Sequence, residues 1–450
     1  MKILIFGTGY IYKKNRYKFA DFDVLAFLDN DMNKQNQFMD GIVITSPQNH
    51  WKYEYDAIII ASIYFHEMRT QLLNLGVPDN KIVDQEHMGI FANACIIHEY
   101  NRKIQCNPKG KRILLVANEL TNSGAPVVLY NVASVLIKSG YSVDLITCIR
   151  GPMLYSFLSL GVGVKIADWW QMFEADFFKS YDLIFLNTIL TYPVAKLLAD
   201  TTIPLLWWLH EDKQGINTFH ITINDIPVAK NLHMLSVGKR VTRAYVNMTG
   251  SNDINELCFG LAYHESVNKK GKKDKIICAI IGYVSEIKGQ DLLLKAVELH
   301  LDEWNKEIEF WIIGSITEEQ KQEVEQYPCI RVWGVVEHER LMDLYSEIDI
   351  VLCASRYESM SAVIIEGMMH KKLCITSSET GIADYCDPYI NALIMESESV
   401  DSLSEQINWA LEHKESWKRI SEAGFEVYNS KFRMETFEKN LMYYVNKYCL

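Results

Sequence analysis

Short apolar runs recur along the chain with amphipathic stretches between them, which predicts strands alternating with helices. The runs form three series, at 2–6, 23–28 and 57–61, then at 112–117, 142–147, 183–187 and 204–210, then at 275–281, 308–313, 330–333, 350–354 and 373–376. Strands that are apolar along nearly their whole length, with helices between them, are typical of parallel sheets covered on both faces. The pattern therefore predicts three consecutive α/β modules.

Two polar segments separate these modules. Residues 101–111 contain Pro108 and Gly110, and residues 264–275 contain five lysines. The lysine run is typical of a solvated interdomain loop, and contact with acidic lipid headgroups is the alternative.

Composition places the chain among ordinary soluble globular proteins, with 49% apolar and 23% charged residues over 450 positions. The formal net charge of −12 argues against a general nucleic-acid binder, because phosphate contacts need clustered Lys and Arg. A local site for a small anion is still compatible with this charge, since backbone N–H groups and one or two cations can build it.

The cysteines and the N-terminus bear on the cellular compartment. Ten cysteines without a Cys-x-x-Cys pair are typical of buried free thiols in a reducing environment. The N-terminus lacks the anatomy of a signal peptide, and no apolar run approaches the ~20 residues that span a bilayer. We therefore expect a cytoplasmic protein, at the inner face of the membrane if it contacts one.

The first module opens like a nucleotide-binding fold but has an incomplete fingerprint. The strand at 2–6 leads into a G-x-G turn at Gly7, yet Tyr12 occupies the third glycine position of G-x-G-x-x-G. Asp29 ends the next strand, where a ribose-binding acid would lie. The module is expected to serve for packing or partner contact, and nucleotide binding is the alternative. Residues 29–31 also spell D-x-D, a metal motif that is common by chance.

The most specific chemistry lies in the third module. Gly282 follows a strand, where a missing side chain lets a ligand approach the backbone, and Lys288 can reach a phosphate as a point charge. An ordinary surface loop is the alternative. Glu358 lies in a small-residue loop before a helix, and Glu366, about two turns into that helix, could accept hydrogen bonds from a diol such as ribose. The apolar neighbours of Glu366 disfavour an unpartnered carboxylate, which favours a functional role.

These motifs resemble those of family-4 retaining glycosyltransferases, which have the GT-B fold. The resemblance covers about residues 112–440, and the E-x7-E element from Glu358 to Glu366 is its strongest match. The other matches are Lys288-Gly289 after Gly282, the strand and loop at 349–355, and the turn Gly381-Ile382.

The resemblance implies an α/β protein in which two Rossmann-like domains face each other across a cleft, preceded by a small Rossmann-like module. The implied parts are an accessory module (1–100), an acceptor-side domain (110–265), a donor domain (272–430) and a C-terminal helix (431–450) packed back on the N-terminal half.

The resemblance also implies roles for residues of the third module. Glu358 would approach the donor sugar and Glu366 would hold the nucleotide ribose. The loop amides around Ser359, Met360 and Ser361 would line the diphosphate and the sugar.

A cation for the diphosphate is implied as well. Lys288, in the loop after Gly282, would neutralise the diphosphate as it departs. Much of the family has an arginine after that glycine, where this chain has Tyr283. One cation is therefore missing or replaced, and Arg356 is a candidate for the replacement.

The second module resembles the acceptor-side half of these enzymes. Gly124 lies in a small-residue loop between a strand and a helix, and would allow close approach to the phosphate and acceptor. His210 follows a buried strand, at the edge where parallel sheets bind ligands, and resembles the family residue that contacts the donor sugar. A histidine satisfied by a local backbone group is the alternative. Residues 249–252 resemble a cleft-side segment.

The function implied is transfer of a sugar from a nucleoside-diphosphate sugar, UDP- rather than GDP-linked, to an acceptor hydroxyl with retention at the anomeric carbon. No cofactor or metal is implied, and the acceptor would be a glycan or a lipid- or protein-linked group in surface polysaccharide or glycoconjugate synthesis. Alternatives are a nucleotide-sugar-binding protein with weak catalysis, which Tyr283 supports, and an NAD-dependent enzyme based on residues 1–90. The link at 264–275 is the expected hinge between the two halves.

Overall fold

A computed structural model of the chain describes residues 2–15, 19, 22–62, 64–78, 81–84, 98–100, 110–167, 175–199, 201–264 and 274–449. It forms two compact units. Unit 1 comprises residues 1–108, 114–133 and 142–180, and unit 2 comprises residues 109–113, 134–141 and 181–450. Residues 101–109 and 265–273 lie outside the described residues. These ranges include most of both predicted boundary segments. The expected lipid contact and the expected hinge of the lysine run therefore also lie outside the described residues.

The first part of unit 1 is a six-stranded sheet in the order β3-β4-β2-β1-β5-β6, in which only the pair β3–β4 is antiparallel. Alternate residues of its strands enter two separate apolar clusters, with Ile3 and Ile5 in one and Leu4 and Phe6 in the other. The sheet is therefore buried on both faces, which explains its continuous apolar runs. Its elements are β1 (Lys2–Phe6), α1 (Tyr10–Asn15), β2 (Asp23–Leu28), β3 (Phe38–Met39), β4 (Ile42–Thr45), β5 (Ala57–Ile60), α2 (Phe65–Asn74) and β6 (Ile82–Asp84).

The remainder of unit 1 belongs to the second module. Its strand β7 (His98–Tyr100) pairs antiparallel with β10 (Gly163–Ile166), and β10 pairs parallel with β9 (Ser142–Ile149). The other elements here are β8 (Arg112–Glu119), α3 (Gly124–Lys138), α4 (Met153–Ser159) and α5 (Ala175–Phe178), of which β8 and α3 contribute residues to both units.

Unit 2 begins with four strands that pair parallel in chain order from β11 to β14. Burial of the β12 sequence Leu-Leu-Trp-Trp-Leu is complete or nearly so along its length, as its apolar pattern predicts. The elements are β11 (Leu183–Asn187), α6 (Tyr192–Leu198), β12 (Leu205–Leu209), α7 (Lys213–Thr218), β13 (Leu232–Ser236), α8 (Lys239–Thr249) and β14 (Ile254–Glu256).

Unit 2 continues with an all-parallel sheet in the order β17-β16-β15-β18-β19-β20. Its strands are β15 (Ile276–Ile281), β16 (Ile308–Ile313), β17 (Ile330–Gly334), β18 (Ile350–Cys353), β19 (Leu373–Ser377) and β20 (Leu393–Met395). Its helices are α9 (Gln290–Glu307), α10 (Glu318–Val324), α11 (His338–Leu344), α12 (Ala362–Met369), α13 (Val400–Glu412), α14 (Trp417–Val427) and α15 (Met434–Tyr448).

The order of this sheet reverses between β15 and β18. The chain runs from β15 outward to β17 on one side and then from β18 outward to β20 on the other. Connections that leave two neighbouring parallel strands in opposite directions open a crevice at their carboxyl ends, where ligands of such sheets bind. The loops that begin at Gly282 and at Ala354 are therefore the loops that flank this crevice.

The C-terminal helix α15 packs on the strands β12 and β13. Phe437 stacks on Trp208 with ring centroids 6.0 Å apart, and Tyr448 stacks on His233 at 3.6 Å. No helix in the described ranges combines the length and apolarity needed to cross a membrane.

Candidate active site

Glycines bring the loops at the carboxyl edge of the second parallel sheet of unit 2 into contact. A Cβ on Gly289 would lie 2.2 Å from the carbonyl oxygen of Ala354, and one on Gly314 would lie 1.9 Å from that of Gly282. Gly282, Gly289 and Gly314 also have φ angles of 138°, 76° and 146°, which lie in the range that favours glycine. The loops of the crevice therefore pack so closely at Gly289 and Gly314 that a side chain at either position would clash with the neighbouring backbone.

An ion pair joins the two loops that flank the crevice. Nζ of Lys288 lies 3.0 Å from Oε1 of Glu358, and both side chains are about four-fifths buried. Burial alone would lower the pKa of Lys288, but the carboxylate of Glu358 raises it above its ordinary value. Oε2 of Glu358 accepts a hydrogen bond from Ser355 Oγ at 3.2 Å. The structure thus brings together two predicted site residues that are 70 positions apart in the chain.

The backbone of Glu358 is clamped against the turn after β19. Its N–H donates to the carbonyl oxygen of Glu379 at 3.1 Å, and its own carbonyl accepts from the N–H of Gly381 at 2.8 Å. A Cβ on Gly381 would lie 1.8 Å from the carbonyl oxygen of Ser359. This explains why the sequence has a glycine turn here, a match to the family pattern.

The predicted phosphate loop, residues 359–361, leads directly into α12. Ser361 precedes the first helical residue and is almost fully buried, so the N–H groups of the first turn face the end of this loop. Ser359 Oγ accepts a hydrogen bond from the N–H of Asp212 at 3.3 Å. Met360 packs so closely on Gly238 that a Cβ there would lie 2.6 Å from its methyl carbon. Both contacts come from loops after β12 and β13.

Glu366 lies on the buried face of α12, 8% exposed. Oη of Tyr345 donates to Oε2 at 2.8 Å, and Nε2 of His338 lies 3.4 Å from Oε1. Glu366 is therefore a partnered carboxylate beside the crevice, as its apolar sequence neighbours predict.

His210 lies at the carboxyl end of β12, as predicted. Its Nε2 is 2.9 Å from Oδ1 of Asn187, and its ring packs on Trp208 at 4.5 Å between centroids. Burial lowers the pKa of His210 to about 3, so the ring is neutral. Because the partner of Nε2 is a side chain, the alternative of a histidine satisfied through a local backbone group does not describe this nitrogen.

The residue after His210 is also perturbed. Burial raises the pKa of Glu211 to about 7, although its Oε2 accepts hydrogen bonds from the N–H groups of Ile189 and His210 at 2.8 and 3.1 Å. Thr188, the residue directly after Asn187, has φ 74° and ψ 158°, a conformation that non-glycine residues adopt only under strain. The strained backbone of Thr188 and the raised pKa of Glu211 therefore occur at the same edge of the sheet.

Arg240 links this edge to the turn after β19. Its Nε lies 3.2 Å from Oδ2 of Asp212, and its Nη2 pairs with Oε2 of Glu379. Arg243 pairs with Asp384 at 2.8 Å, one turn further along α8. Two arginines of one helix are thus tied to acids that follow β19.

Arg356, the candidate replacement for the family arginine, is turned toward α9. Its two Nη atoms bind both carboxylate oxygens of Asp291 at 2.8 and 2.7 Å. Tyr283, at the position of that family arginine, is 51% exposed. The structure thus places Arg356 beside the Lys288 loop, with its charge held by Asp291.

Gly124 is the first residue of α3 and belongs to unit 1. A Cβ at this position would meet no atom within 4 Å, so the local structure of unit 1 does not require a glycine there.

In the N-terminal sheet, the candidate ribose acid Asp29 is occupied by its own chain. Oδ2 accepts hydrogen bonds from Thr8 N–H (3.2 Å) and Thr8 Oγ1 and pairs with Lys34, while Oδ1 accepts from the N–H of Asp31 at 2.9 Å. Burial raises the pKa of Asp29, but these partners together hold it below its ordinary value. Tyr12, at the third glycine position, fills the core against Phe27. In the described part of the chain, no group of three or more His, Cys, Asp or Glu side chains could hold a metal ion, and this includes residues 29–31.

Several residues of the site were not predicted from the sequence: Asn187, Asp212, Arg240, His338, Tyr345 and Glu379. Asn187 ends a buried strand just as His210 does, so the same argument would have found it. The others act through tertiary contacts, and no local pattern marks them.

Comparison with known families covers most of the chain. The family model "Glycosyl transferases group 1" matches residues 263–427, and "Glycosyl-transferase family 4" matches residues 109–254. A separate model, "C2185-like, N-terminal", matches residues 1–83.

Among curated proteins, the GPI3 subunit of phosphatidylinositol N-acetylglucosaminyltransferase from Saccharomyces cerevisiae is 26% identical over 152 residues. The match spans about a third of each chain, 33% of both.

Solved structures show the same fold. The Anabaena protein HepE in complex with UDP and glucose is 15% identical, with a TM-score of 0.62 over 75% of this chain and all of that one. Sucrose-phosphate synthase from Thermosynechococcus elongatus is 15% identical, with a TM-score of 0.60 over 75% of this chain and 98% of that one. Together with the two family models and the paired loops at the sheet switch point, these likenesses identify the chain as a family-4-type glycosyltransferase of the GT-B fold that carries a separate N-terminal α/β module.

Proposed function

We propose that the chain transfers a sugar from a nucleoside-diphosphate sugar to an acceptor hydroxyl with retention at the anomeric carbon and without a metal ion. The observation that carries the proposal is the ion pair of Lys288 and Glu358 across the sheet switch point, with Glu366 on the helix that follows. A cation, loop amides and a ribose-binding carboxylate are the groups that a nucleotide-sugar donor requires.

Each group has a task in this reaction. As the bond between the sugar and the phosphate breaks, negative charge builds on the leaving diphosphate, and Lys288 and the amides at 359–361 oppose that charge as fixed partners. Glu358 faces the donor sugar, and Glu366 holds the ribose. Neutral His210, fixed by Asn187, contacts the sugar as a hydrogen-bonding group.

The remaining predicted residues complete the proposal. Gly282 lets the diphosphate approach the backbone, and Gly124 lies on the acceptor side. Arg356 is a weaker candidate for the second diphosphate cation than the sequence suggests, because both its Nη atoms are bound to Asp291. The leaving phosphate takes the proton of the acceptor hydroxyl.

The donor is proposed to be UDP-linked rather than GDP-linked, since the similar protein HepE was crystallised with UDP and with UDP-glucose. The acceptor is proposed to be a glycan or a lipid- or protein-linked group in surface polysaccharide or glycoconjugate synthesis, at the cytoplasmic face of the membrane. The yeast relative is by its name a subunit of a phosphatidylinositol N-acetylglucosaminyltransferase, and the match covers a third of its length.

One panel of assays tests the proposal. The protein is incubated with UDP-, GDP- and dTDP-sugars, with and without EDTA, and nucleotide release is followed; the anomeric configuration of any product is read by NMR. Release that survives EDTA, with a product that keeps the donor configuration, is expected. An inverted product refutes retention, and loss of release in EDTA refutes metal independence.

A second candidate function is nucleotide-sugar binding with little catalysis, which the exposed Tyr283 in place of a cation favours. Nucleotide binding without turnover of any donor would support it. Glu366→Ala should weaken nucleotide binding, whereas Glu318→Ala, which changes an exposed glutamate at the start of α10, should not. Equal affinities for the two variants would refute the ribose role of Glu366.

A further inference from the structure

The two carboxylate oxygens of Glu366 are held by partners of opposite character. Oε2 accepts from Tyr345 Oη at 2.8 Å, and Tyr345 is fully buried, stacked on His370 with ring centroids 4.6 Å apart. Oε1 faces Nε2 of His338 at 3.4 Å, and 73% of the His338 side chain is exposed. One oxygen is therefore fixed by the core, and the other is in contact with a ring at the surface.

This asymmetry determines which oxygen is available to a ligand. A carboxylate offers about four lone-pair sites, and Tyr345 uses one of them on Oε2. The 3.4 Å distance from His338 Nε2 to Oε1 exceeds the usual 2.7–3.2 Å of an N–H···O hydrogen bond. Of the two oxygens of Glu366, Oε1 is therefore the one held less tightly by the protein. A ribose diol that binds Glu366 therefore meets His338 first.

We propose that His338 competes with the ribose of the donor for Oε1 of Glu366, so that the charge of this ring regulates donor affinity; the proposal rests on the proposed function. A neutral ring makes a weak contact that ribose displaces. An imidazolium makes an ion pair that ribose must break. Because 73% of the His338 side chain is exposed, the ring can turn into solvent with little loss of buried surface.

The groups around His338 give the sign of the effect. Glu366 faces the ring from α12, and Glu339 lies beside it on α11. The hydrogen bond to Glu366 raises the pKa of His338, burial lowers it, and the charges of both glutamates raise it, so that it lies above its ordinary value. Ribose that takes Oε1 removes this support and returns the pKa toward its ordinary value. Donor binding then releases a proton, and affinity falls as pH drops through the pKa of His338.

The experiment measures binding of UDP-glucose and GDP-mannose to the full-length protein by calorimetry at about pH 8 and about pH 5.5, on either side of an ordinary histidine pKa. We expect wild-type affinity to be roughly two- to fivefold weaker at the lower pH, the range set by a partly exposed ion pair. His338→Gln keeps a polar side chain that cannot ionise, and should bind with nearly equal affinity at both pH values. His413→Gln, at the end of α13, is the matched control and should keep the wild-type dependence.

The outcomes separate the two proposals. Binding at pH 8 with the same pH dependence in wild type and His338→Gln overturns the competition, as does tighter wild-type binding at the lower pH, while the donor site stands. Failure of both nucleotide sugars to bind at pH 8 overturns the donor class proposed above, and the competition falls with it.

Discussion

Replacing Lys288 with Met tests the assignment of this side chain to the leaving diphosphate. The substitution keeps the apolar stem and removes the charge. In the wild type, Nζ of Lys288 lies 3.0 Å from Oε1 of Glu358, and the two side chains are only 24% and 20% exposed. The variant leaves Glu358 with Ser355 Oγ at 3.2 Å and the thiol of Cys353 at 3.5 Å as partners. An underpartnered, mostly buried carboxylate costs about 1–3 kcal/mol of unfolding free energy.

The catalytic loss should be larger than the structural one. Loss of one preorganised partner of a developing negative charge lowers the rate by about 10²–10³-fold, or about 2.7–4 kcal/mol. The assay is nucleotide release in steady state, with urea denaturation to measure stability. Lys295→Met is the matched control, because Lys295 is 63% exposed and its contact to Asp291 is long, 3.8 Å. A Lys288→Met enzyme with kcat within about threefold of the control would refute the electrostatic role.

Four other outcomes are expected. Gly381→Ala places a Cβ 1.8 Å from the Ser359 carbonyl oxygen, so it should cost about 1–3 kcal/mol of unfolding free energy and weaken nucleotide binding measured by calorimetry. Arg240→Met leaves a buried carboxylate partner without its cation, so urea denaturation should show a loss of about 1–3 kcal/mol. Burial lowers the pKa of His370 to about 4, so the unfolded chain binds more protons than the folded chain between pH 4 and 6.5. The unfolding free energy of the wild type should therefore fall by about 3 kcal/mol, relative to that of His370→Leu, as pH drops through that window. Titration with NAD(H) should give no heat from the N-terminal sheet, because Asp29 is already occupied by Thr8 and Lys34.

Matched comparisons make these outcomes decisive. Gly124→Ala is the control for the unfolding free energy of Gly381→Ala, since its Cβ would meet no atom within 4 Å, and equal losses of stability in the two variants would refute the clash. For Arg240, a stability equal to that of wild type would mean that water replaces the guanidinium. For His370, parallel stability curves of wild type and variant would show that the ring is accessible to protons in the folded state. Saturable NAD(H) binding would restore the nucleotide interpretation of residues 1–90.

Most of the fold could be predicted from the sequence, because a strand buried on both faces must be apolar at nearly every position. The runs predicted at 275–281 and 350–354 are the strands Ile276–Ile281 and Ile350–Cys353. Helices between such strands supply the long crossovers that parallel pairing needs, so the class of fold followed from periodicity. The loops after these strands identified Gly282, Lys288 and Glu358.

Only the tertiary structure decided how these loops are partnered. Strand order is set by the packing of whole helices and sheets, so no local pattern indicates which acid each cation pairs with. In the structure Lys288 pairs with Glu358. Arg356 pairs with Asp291. The sequence does not show which glycines allow close approach of two backbone segments. Only the structure shows that a Cβ on Gly381 would lie 1.8 Å from the carbonyl oxygen of Ser359.

The sequence by itself determined which elements form and where acids, cations and glycines fall at strand ends, because burial periodicity and chain stereochemistry are local properties. The structure alone decided that Tyr345 and His338 share Glu366 and that Arg240 joins Asp212 to Glu379. Those contacts join residues 21 to 139 positions apart, and they exist because the folded sheets bring distant strand ends to common edges.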